Sequence, residues 1–370
     1  MRIAILADPI DNQQAGIHHY TIEFLSKLAH IKTENEYSII RLSEKNPIHG
    51  IDQVVIKNYP WIPGYKALRM FFLLPLLLTK MKFDVVVEPA HFGPFNLPKR
   101  IRRVTVIHDM TPVYFPHYHR IHSQLLQRIF LKDILKRADL IIANSQNTKK
   151  DIVKYVPSAS FKVYPIYLGK DDSFSKKEDP AVLKKYNLDQ PFFLYVGTIE
   201  PRKNLLTLLE AFRQFKSVGE YPHYLVIVGQ KGWKTKTFFS KLSKHPNKDH
   251  IRILGYVARE DLPVLYSSAQ SFILPSYYEG FGMPLLEAMS CGAPCIISHN
   301  SSLPEIGGNA ALKFDPENPA ELAMLMKDIS DDEALRKERS SESLLQSKKF
   351  SWENYAIQFD ELISQKLKKQ

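Results

Sequence analysis

The chain has 370 residues, 44% hydrophobic and 24% charged, more than one ordinary core accommodates, which points to two domains of roughly 150–200 residues each. Its two cysteines, Cys291 and Cys295, exclude a disulfide framework and match no common zinc or redox spacing, so a reduced, cytosolic setting is expected. The net charge of +11 lies wholly in front: residues 1–170 hold 24 Lys+Arg against 13 Asp+Glu, leaving 50 − 24 = 26 basic and 39 − 13 = 26 acidic residues behind them.

Such asymmetry suggests that the front half meets an anionic partner, a membrane surface or a nucleic acid. No nucleic-acid-binding motif is visible, so none is expected as a partner. Met1-Arg2 leads straight into the strand-like "IAILA", without a signal-peptide pattern.

Strand-like runs then follow at 2–7, 37–42, 84–89, 103–109 and 139–145, with helical patterns at 17–29 and 122–138. Continuous apolar strands alternating with helices predict a parallel sheet covered on both faces. "GYKALRMFFLLPLLLTKMK" (64–82) has a short apolar centre, interrupted by Pro75 and flanked by Lys66, Arg69, Lys80 and Lys82. It falls short of the ~20 apolar residues of a membrane span. It reads either as a helix lying in an anionic interface or as an amphipathic core helix.

Turn-forming and charged residues at 167–180 mark a linker. A second α/β series has strands at 191–198, 223–230, 250–257, 271–276 and 293–298, and a last helix runs from about Trp352 to Leu367. The expected fold class is α/β, with two Rossmann-like doubly wound domains, 1–170 and 171–350, facing across a cleft. The helix of 351–370 is expected to pack back on the first domain. Ligands of such sheets bind at the strands' carboxyl ends.

Two constellations carry chemistry. In "YVGTIEPRKN" (195–204) a buried strand ends at Gly197, and Arg202 and Lys203 stand beside a helix start. A guanidinium fork and an ammonium there suit a diphosphate, helped by the helix dipole, although a solvated pair at a helix entrance has the same look. In "YYEGFGMPLLEA" (277–288) Gly280 and Gly282 permit a tight turn and Met283-Pro284 opens a helix, so amides at 281–283 can cradle phosphate oxygens. Glu279 stands before that helix and Glu287 about one turn inside it. This separation suits two sets of hydroxyls better than a shared proton or a metal.

Together, the E-P-R-K-N run at 200–204 and the "EGFGMPLLE" block at 279–287 resemble the retaining GT-B-fold glycosyltransferases of glycosyltransferase family 4. The resemblance implies that Arg202 and Lys203 hold the diphosphate of a nucleotide-sugar and stabilise the leaving group. It implies that Glu279 binds the donor sugar's hydroxyls, Glu287 the ribose, and the amides of Phe281, Gly282 and Met283 sugar and phosphate. The base is expected near "GYV" (255–257), at Tyr256 and Val257. "VTVIHDMTP" (104–112) resembles the segment whose histidine meets the donor sugar, here His108, with Asp109 orienting the imidazole or an acceptor hydroxyl. The first loop departs from the family's double glycine: in "QQAGIHHY" (13–20) Ala15 replaces one glycine, and Gly16, counted among the donor-binding residues, remains to let the backbone approach a phosphate or the acceptor. "EPAHFGPF" (88–95) offers His91 and Phe92 as an acceptor wall.

The implied activity is a retaining, metal-independent hexosyl transfer in which the leaving phosphate accepts the acceptor's proton. "HDMTP" and "EPRKN" look most like bacterial mannosyltransferases of surface polysaccharide synthesis, so GDP-mannose is the first expected donor, ahead of a UDP-sugar or dTDP-rhamnose. No cofactor or metal is expected, since His and carboxylates do not cluster at ligand spacing and no DxD pattern occurs. The expected acceptor is a glycan or a lipid-linked saccharide, met by a cytoplasmic enzyme at the inner face of the membrane. A sugar-nucleotide epimerase or a phosphorylase of the same architecture is the alternative.

Overall fold

The computed structural model describes residues 1–12, 15–45, 47–59, 61–90, 96–115 and 125–368. These divide into two compact units. One consists of 1–114, 125–169 and 351–368, and the other of 170–350 with Phe115.

The first unit is built on seven parallel strands: β1 (Arg2–Leu6), β2 (Glu36–Arg41), β3 (Asp52–Val55), β4 (Val85–Glu88), β5 (Arg102–Ile107), β6 (Leu140–Ala143) and β7 (Val163–Pro165). Their order is β3-β2-β1-β4-β5-β6-β7. The central strands are apolar on both faces because helices cover both, and Ile3 to Ile5, Val85 to Val87 and Ile141 to Ala143 are all buried. Strand order reverses between β1 and β4, so the backbone crevice of this unit opens beyond Leu6, Glu88 and Ile107.

The helix Trp352–Leu367 belongs to this unit although it comes last in sequence. It lies on the helix Ala15–Leu28, with Tyr355 edge-on to Phe24 at 5.2 Å and Phe359 at 4.7 Å from Phe24. Asp360 accepts hydrogen bonds from Thr33 (2.6 Å), Asn35 (2.8 Å) and Tyr37 (2.7 Å), which fix its register.

Residues 64–82 form helix Tyr65–Leu68, a π turn Arg69–Leu73 and helix Leu74–Lys80. Pro75 is tolerated because it sits in the first turn of the last piece. Leu74 and Leu78 are buried against Phe83, Val86, Leu97 and Ile101, so the inner face of this segment is core.

The second unit holds β8 (Phe192–Val196), β9 (Tyr224–Val228), β10 (Ile251–Gly255), β11 (Ser271–Leu274), β12 (Cys295–Ser298) and β13 (Leu312–Phe314). All pair in parallel in the order β10-β9-β8-β11-β12-β13. The order reverses between β8 and β11, so the ends of these strands, Val196 and Leu274, flank the unit's crevice. Both chemistry-bearing segments of the sequence start there.

Candidate active site

Beyond β8 the chain turns at Gly197, whose N–H donates to Val228 O at 2.9 Å. Next to it Gly229 has φ +144°, and a Cβ there would stand 2.0 Å from Gly197 O. Only glycine lets the two strand ends come so close. Gly197 is a residue the sequence motif supplies; Gly229 is one it does not.

A single 3₁₀ turn, Pro201–Lys203, ends on Asn204 in the left-handed region (φ 54°), and helix Leu205–Ser217 follows. The turn aims two cations at the segment after β11. Arg202 donates through Nη1 to Tyr278 O (2.6 Å) and Glu279 Oε2 (3.0 Å), and through Nη2 to Glu200 Oε1 (2.7 Å). Lys203 Nζ donates to Glu279 Oε1 at 2.6 Å, and Ser276 Oγ donates to the same oxygen at 2.6 Å. Lys203 is 8% exposed and Glu279 7%, so the solvated pair that the sequence also allowed is not what forms.

Two cations and two carboxylates thus share one buried network, and each offsets the desolvation of the others. Burial pushes the Glu279 carboxyl up, but Lys203, Arg202 and Ser276 outweigh it and hold the pKa at about 2. Burial lowers the Lys203 ammonium, with Glu279 partly restoring it. Burial raises Glu200 above the usual carboxylate range, against the pull of Arg202 and Lys203.

The loop between β11 and helix Met283–Ser290 is braced from behind. Glu279 N–H donates to Ser301 Oγ at 3.1 Å, and the Ser302 hydroxyl lies 2.9 Å from the carbonyl oxygens of both Glu279 and Phe281. Gly282 caps the helix at φ 102°, and a Cβ there would meet Leu303 at 2.8 Å. The Phe281 ring is core, edge-on to Phe350 at 5.9 Å.

Glu287 stands in a separate network. Tyr266 Oη donates to its Oε2 at 3.0 Å, and Arg259, paired with Asp171 and lying 4.9 Å over the Phe174 ring, faces it electrostatically. Burial raises the Glu287 carboxyl to about 7, against the pull of Arg259 and the Tyr266 hydrogen bond. The two glutamates have no partner in common: one is held by Lys203 and Arg202, the other by Tyr266 beside Arg259. Tyr256, after the end of β10, is 74% exposed, whereas Val257 is buried.

In the first unit His108 and Asp109 follow β5. His108 Nε2–H donates to Pro89 O at 2.8 Å, its ring meets Tyr20 edge-on at 4.6 Å, and Asn144 Nδ2 donates to its carbonyl at 2.7 Å. Burial lowers the imidazole pKa, with the Pro89 bond and Asp109 opposing, so the ring is neutral at pH 7. Asp109 Oδ1 accepts from Thr111 N–H (2.9 Å) and Oγ1 (2.6 Å), starting the short helix Thr111–Tyr114. Gly16 lies in the first turn of helix Ala15–Leu28, exposed, with open space where a Cβ would stand. His91 and Phe92 lie outside the described residues.

Sequence reasoning missed Glu200, Ser276, Ser301, Ser302, Tyr266, Arg259 and Asp171. Glu200 stood inside the quoted E-P-R-K-N run, two residues from the arginine it holds. Ser276 precedes Glu279 by three residues in the same loop, and the others are brought in by tertiary structure. Among the described residues no three His, Cys, Asp or Glu side chains are placed to share a metal ion.

The glycosyl transferases group 1 family model matches residues 176–343, and the glycosyltransferase family 4 model matches residues 20–174. The chain is 32% identical to the O-antigen chain mannosyltransferase B of Escherichia coli, over 97% of this chain and 98% of that one. Among solved structures, sucrose-phosphate synthase from Thermosynechococcus elongatus aligns with a TM-score of 0.75 at 21% identity, covering 99% and 98% of the two chains. Anabaena HepE in complex with UDP-glucose aligns with a TM-score of 0.74 at 18% identity, covering 99% and 100%. With two parallel sheets of this topology, two matching family models and an end-to-end relative, the chain belongs to the GT-B-fold glycosyltransferases of family 4, among relatives of the bacterial mannosyltransferases.

Proposed function

We propose that this glycosyltransferase moves mannose from GDP-mannose to a hydroxyl of a glycan or lipid-linked acceptor in cell-surface polysaccharide synthesis, retaining the anomeric configuration and needing no metal. The observation that carries the transfer reading is the Arg202–Lys203 pair at the carboxyl end of β8, Lys203 buried and Arg202 partly so, tied to Glu279 and Glu200. The end-to-end similarity to an O-antigen mannosyltransferase supports the sugar and the kind of product.

The positive charge of Arg202 and Lys203 is matched by Glu279 and Glu200. An incoming diphosphate competes for those donors, so the carboxylates set how much positive charge it meets. As the sugar–phosphate bond breaks, charge gathers on the leaving phosphate. Arg202 and Lys203 then stabilise it more than they stabilise the intact donor, and that difference is what lowers the barrier. The leaving phosphate takes the acceptor's proton. Glu279 binds hydroxyls of the sugar and Glu287 those of the ribose. The base lies beside Tyr256 and Val257, and His108 is proposed as a further contact of the donor sugar. Arg202 and Lys203 supply the positive charge that other transferases take from a metal.

The named relatives do not favour the epimerase and phosphorylase alternatives. Attachment of a cytoplasmic enzyme to the inner face of the cell membrane is part of the proposal. A thermal-shift screen against GDP-mannose, UDP-glucose and dTDP-rhamnose tests the donor, because a ligand that binds only the native state raises its stability by mass action. The largest shift is expected with GDP-mannose, and an equal or larger one with another donor overturns that choice. Transfer assayed with EDTA present tests the metal, and loss of turnover restored by a divalent cation overturns metal independence.

A further inference from the structure

The segment of residues 65–80 has two apolar faces. Its inner face is pinned: Leu74 and Leu78 are buried, and Arg69 is clasped by both Asp8 oxygens at 2.6 and 2.9 Å and donates to Ile56 O at 3.3 Å. Its outer face carries Leu68, Phe72 and Leu76, which are 47, 65 and 66% exposed. The π turn at Arg69–Leu73 widens the helix, bringing residues four apart closer to one line along it. Trp61 (73% exposed) and Ile62 (45%) stand in the turn leading in. Ile129, also exposed, lies on the neighbouring helix Leu125–Arg137, whose Phe130 ring meets Phe71 at 6.2 Å.

Five of the thirteen large hydrophobic side chains exposed among the described residues fall within residues 61–76, so this is a patch and not scatter. Along residues 53–83 its charge is one-signed. No carboxylate occurs between Asp52 and Asp84, and the exposed Lys57, Lys80 and Lys82 lie on either side of the apolar stripe in sequence. Among the described residues no helix is long and apolar enough to cross a membrane. Apolar side chains with lysines beside them and no acid among them complement a surface of lipid phosphates, where ammonium groups sit at the headgroups while the stripe enters the acyl boundary.

We propose that Trp61, Ile62, Leu68, Phe72 and Leu76, with Lys57, Lys80 and Lys82 at their edge, form a docking face for an anionic phospholipid bilayer. It gives the membrane part of the proposed function its surface. Docking does not depend on the donor chemistry, so vesicle binding and glycosyl transfer can fail separately.

The test is co-sedimentation of the full chain with phosphatidylglycerol–phosphatidylcholine vesicles and with phosphatidylcholine alone, at low and high salt. The wild type is expected to sediment with the anionic vesicles only, and less at high salt. The pairs Phe72→Ser/Leu76→Ser and Lys80→Gln/Lys82→Gln are each expected to weaken binding by about tenfold or more. All four side chains are exposed, so both variants should keep the wild-type melting temperature and transfer rate to a soluble acceptor. Tryptophan emission should shift to the blue on vesicle binding, and Trp61→Phe should abolish the shift, leaving Trp233 and Trp352 silent. No vesicle binding by the wild type, or equal binding after either paired substitution, overturns the proposal. So does self-association without lipid that Phe72→Ser/Leu76→Ser removes, since a second copy would then be the occupant.

Discussion

The Lys203 ammonium lies 2.6 Å from Glu279 Oε1, and neither side chain is more than 10% exposed. The partners are 76 residues apart in sequence, so the contact joins the turn after β8 to the loop after β11 at the sheet's switch point. The same carboxylate that the motif assigns to sugar hydroxyls is therefore also the counter-ion of the two cations proposed to hold the diphosphate.

Removing one member of such a buried set strands the others. Glu279→Ala is expected to cost about 3–5 kcal/mol, read from denaturant midpoints. Adding Lys203→Ala should recover part of that loss, with a coupling of about 1–3 kcal/mol in a double-mutant cycle. Strict additivity would show that the pair does not act as a unit.

Arg202 spans three acceptors with one rigid fork, reaching Glu200, Glu279 and Tyr278 O. A lysine cannot occupy all three positions. Arg202→Lys is expected to lower turnover by about 10²-fold while leaving the melting temperature within a few degrees. Lys203→Ala should lower turnover at least as far. Near-normal rates in both variants would remove the cations from the transfer step.

Glu287 carries a pH signature of its own. Its native pKa of about 7 lies above the usual 4.5, so its contribution to stability is full below pH 4.5 and is lost as pH rises through 7. The loss is of order 3 kcal/mol. Glu287→Gln should therefore be more stable than wild type at pH 8, equal to it near pH 4.5, and weaker in donor binding throughout. Arg259 pulls this carboxyl down, so Arg259→Ala should move the transition to higher pH. Stability curves for the two variants that overlay the wild type would refute the assignment.

His223 offers an opposite case away from the site. Its ring stacks on Phe193 at 5.3 Å and meets Phe215 edge-on at 5.5 Å, and burial, followed by Lys216 and Arg336, depresses its pKa from 6.5 to about 4. The unfolded chain takes up the proton first, so stability falls as pH drops from 6.5 towards 4, by about 3 kcal/mol. His223→Phe should flatten that limb of the pH–stability curve, and an unchanged slope would assign the acid sensitivity elsewhere.

Much of the fold was legible because both sheets are buried on two faces, which writes their inner strands as unbroken apolar runs such as "VVV" and "LIIA". The strands that the sequence does not mark are Asp52–Val55, Val163–Pro165 and Leu312–Phe314. They are three or four residues long and end their sheets, so they need less apolar sequence and resemble loops. By sequence, residues 64–82 fit an interfacial and a core helix equally, because one helix with apolar side chains on two faces satisfies both patterns.

At the site, Arg202, Lys203, Glu279 and Glu287 could be picked out because each sits in a short run of glycine, proline and charge whose local geometry is set by neighbours in sequence. That they form two networks could not. Tyr266, Arg259 and Asp171 are ordinary residues until tertiary structure places them beside Glu287; Arg259 and Asp171 are 88 positions apart. The sequence by itself determined the two α/β units and the two glycine-bearing turns, since hydrophobic period and backbone permission are local properties. Only the tertiary structure decided which carboxylate is ionised and which holds its proton near neutrality, because a pKa depends on burial and on charges that the chain brings together from afar.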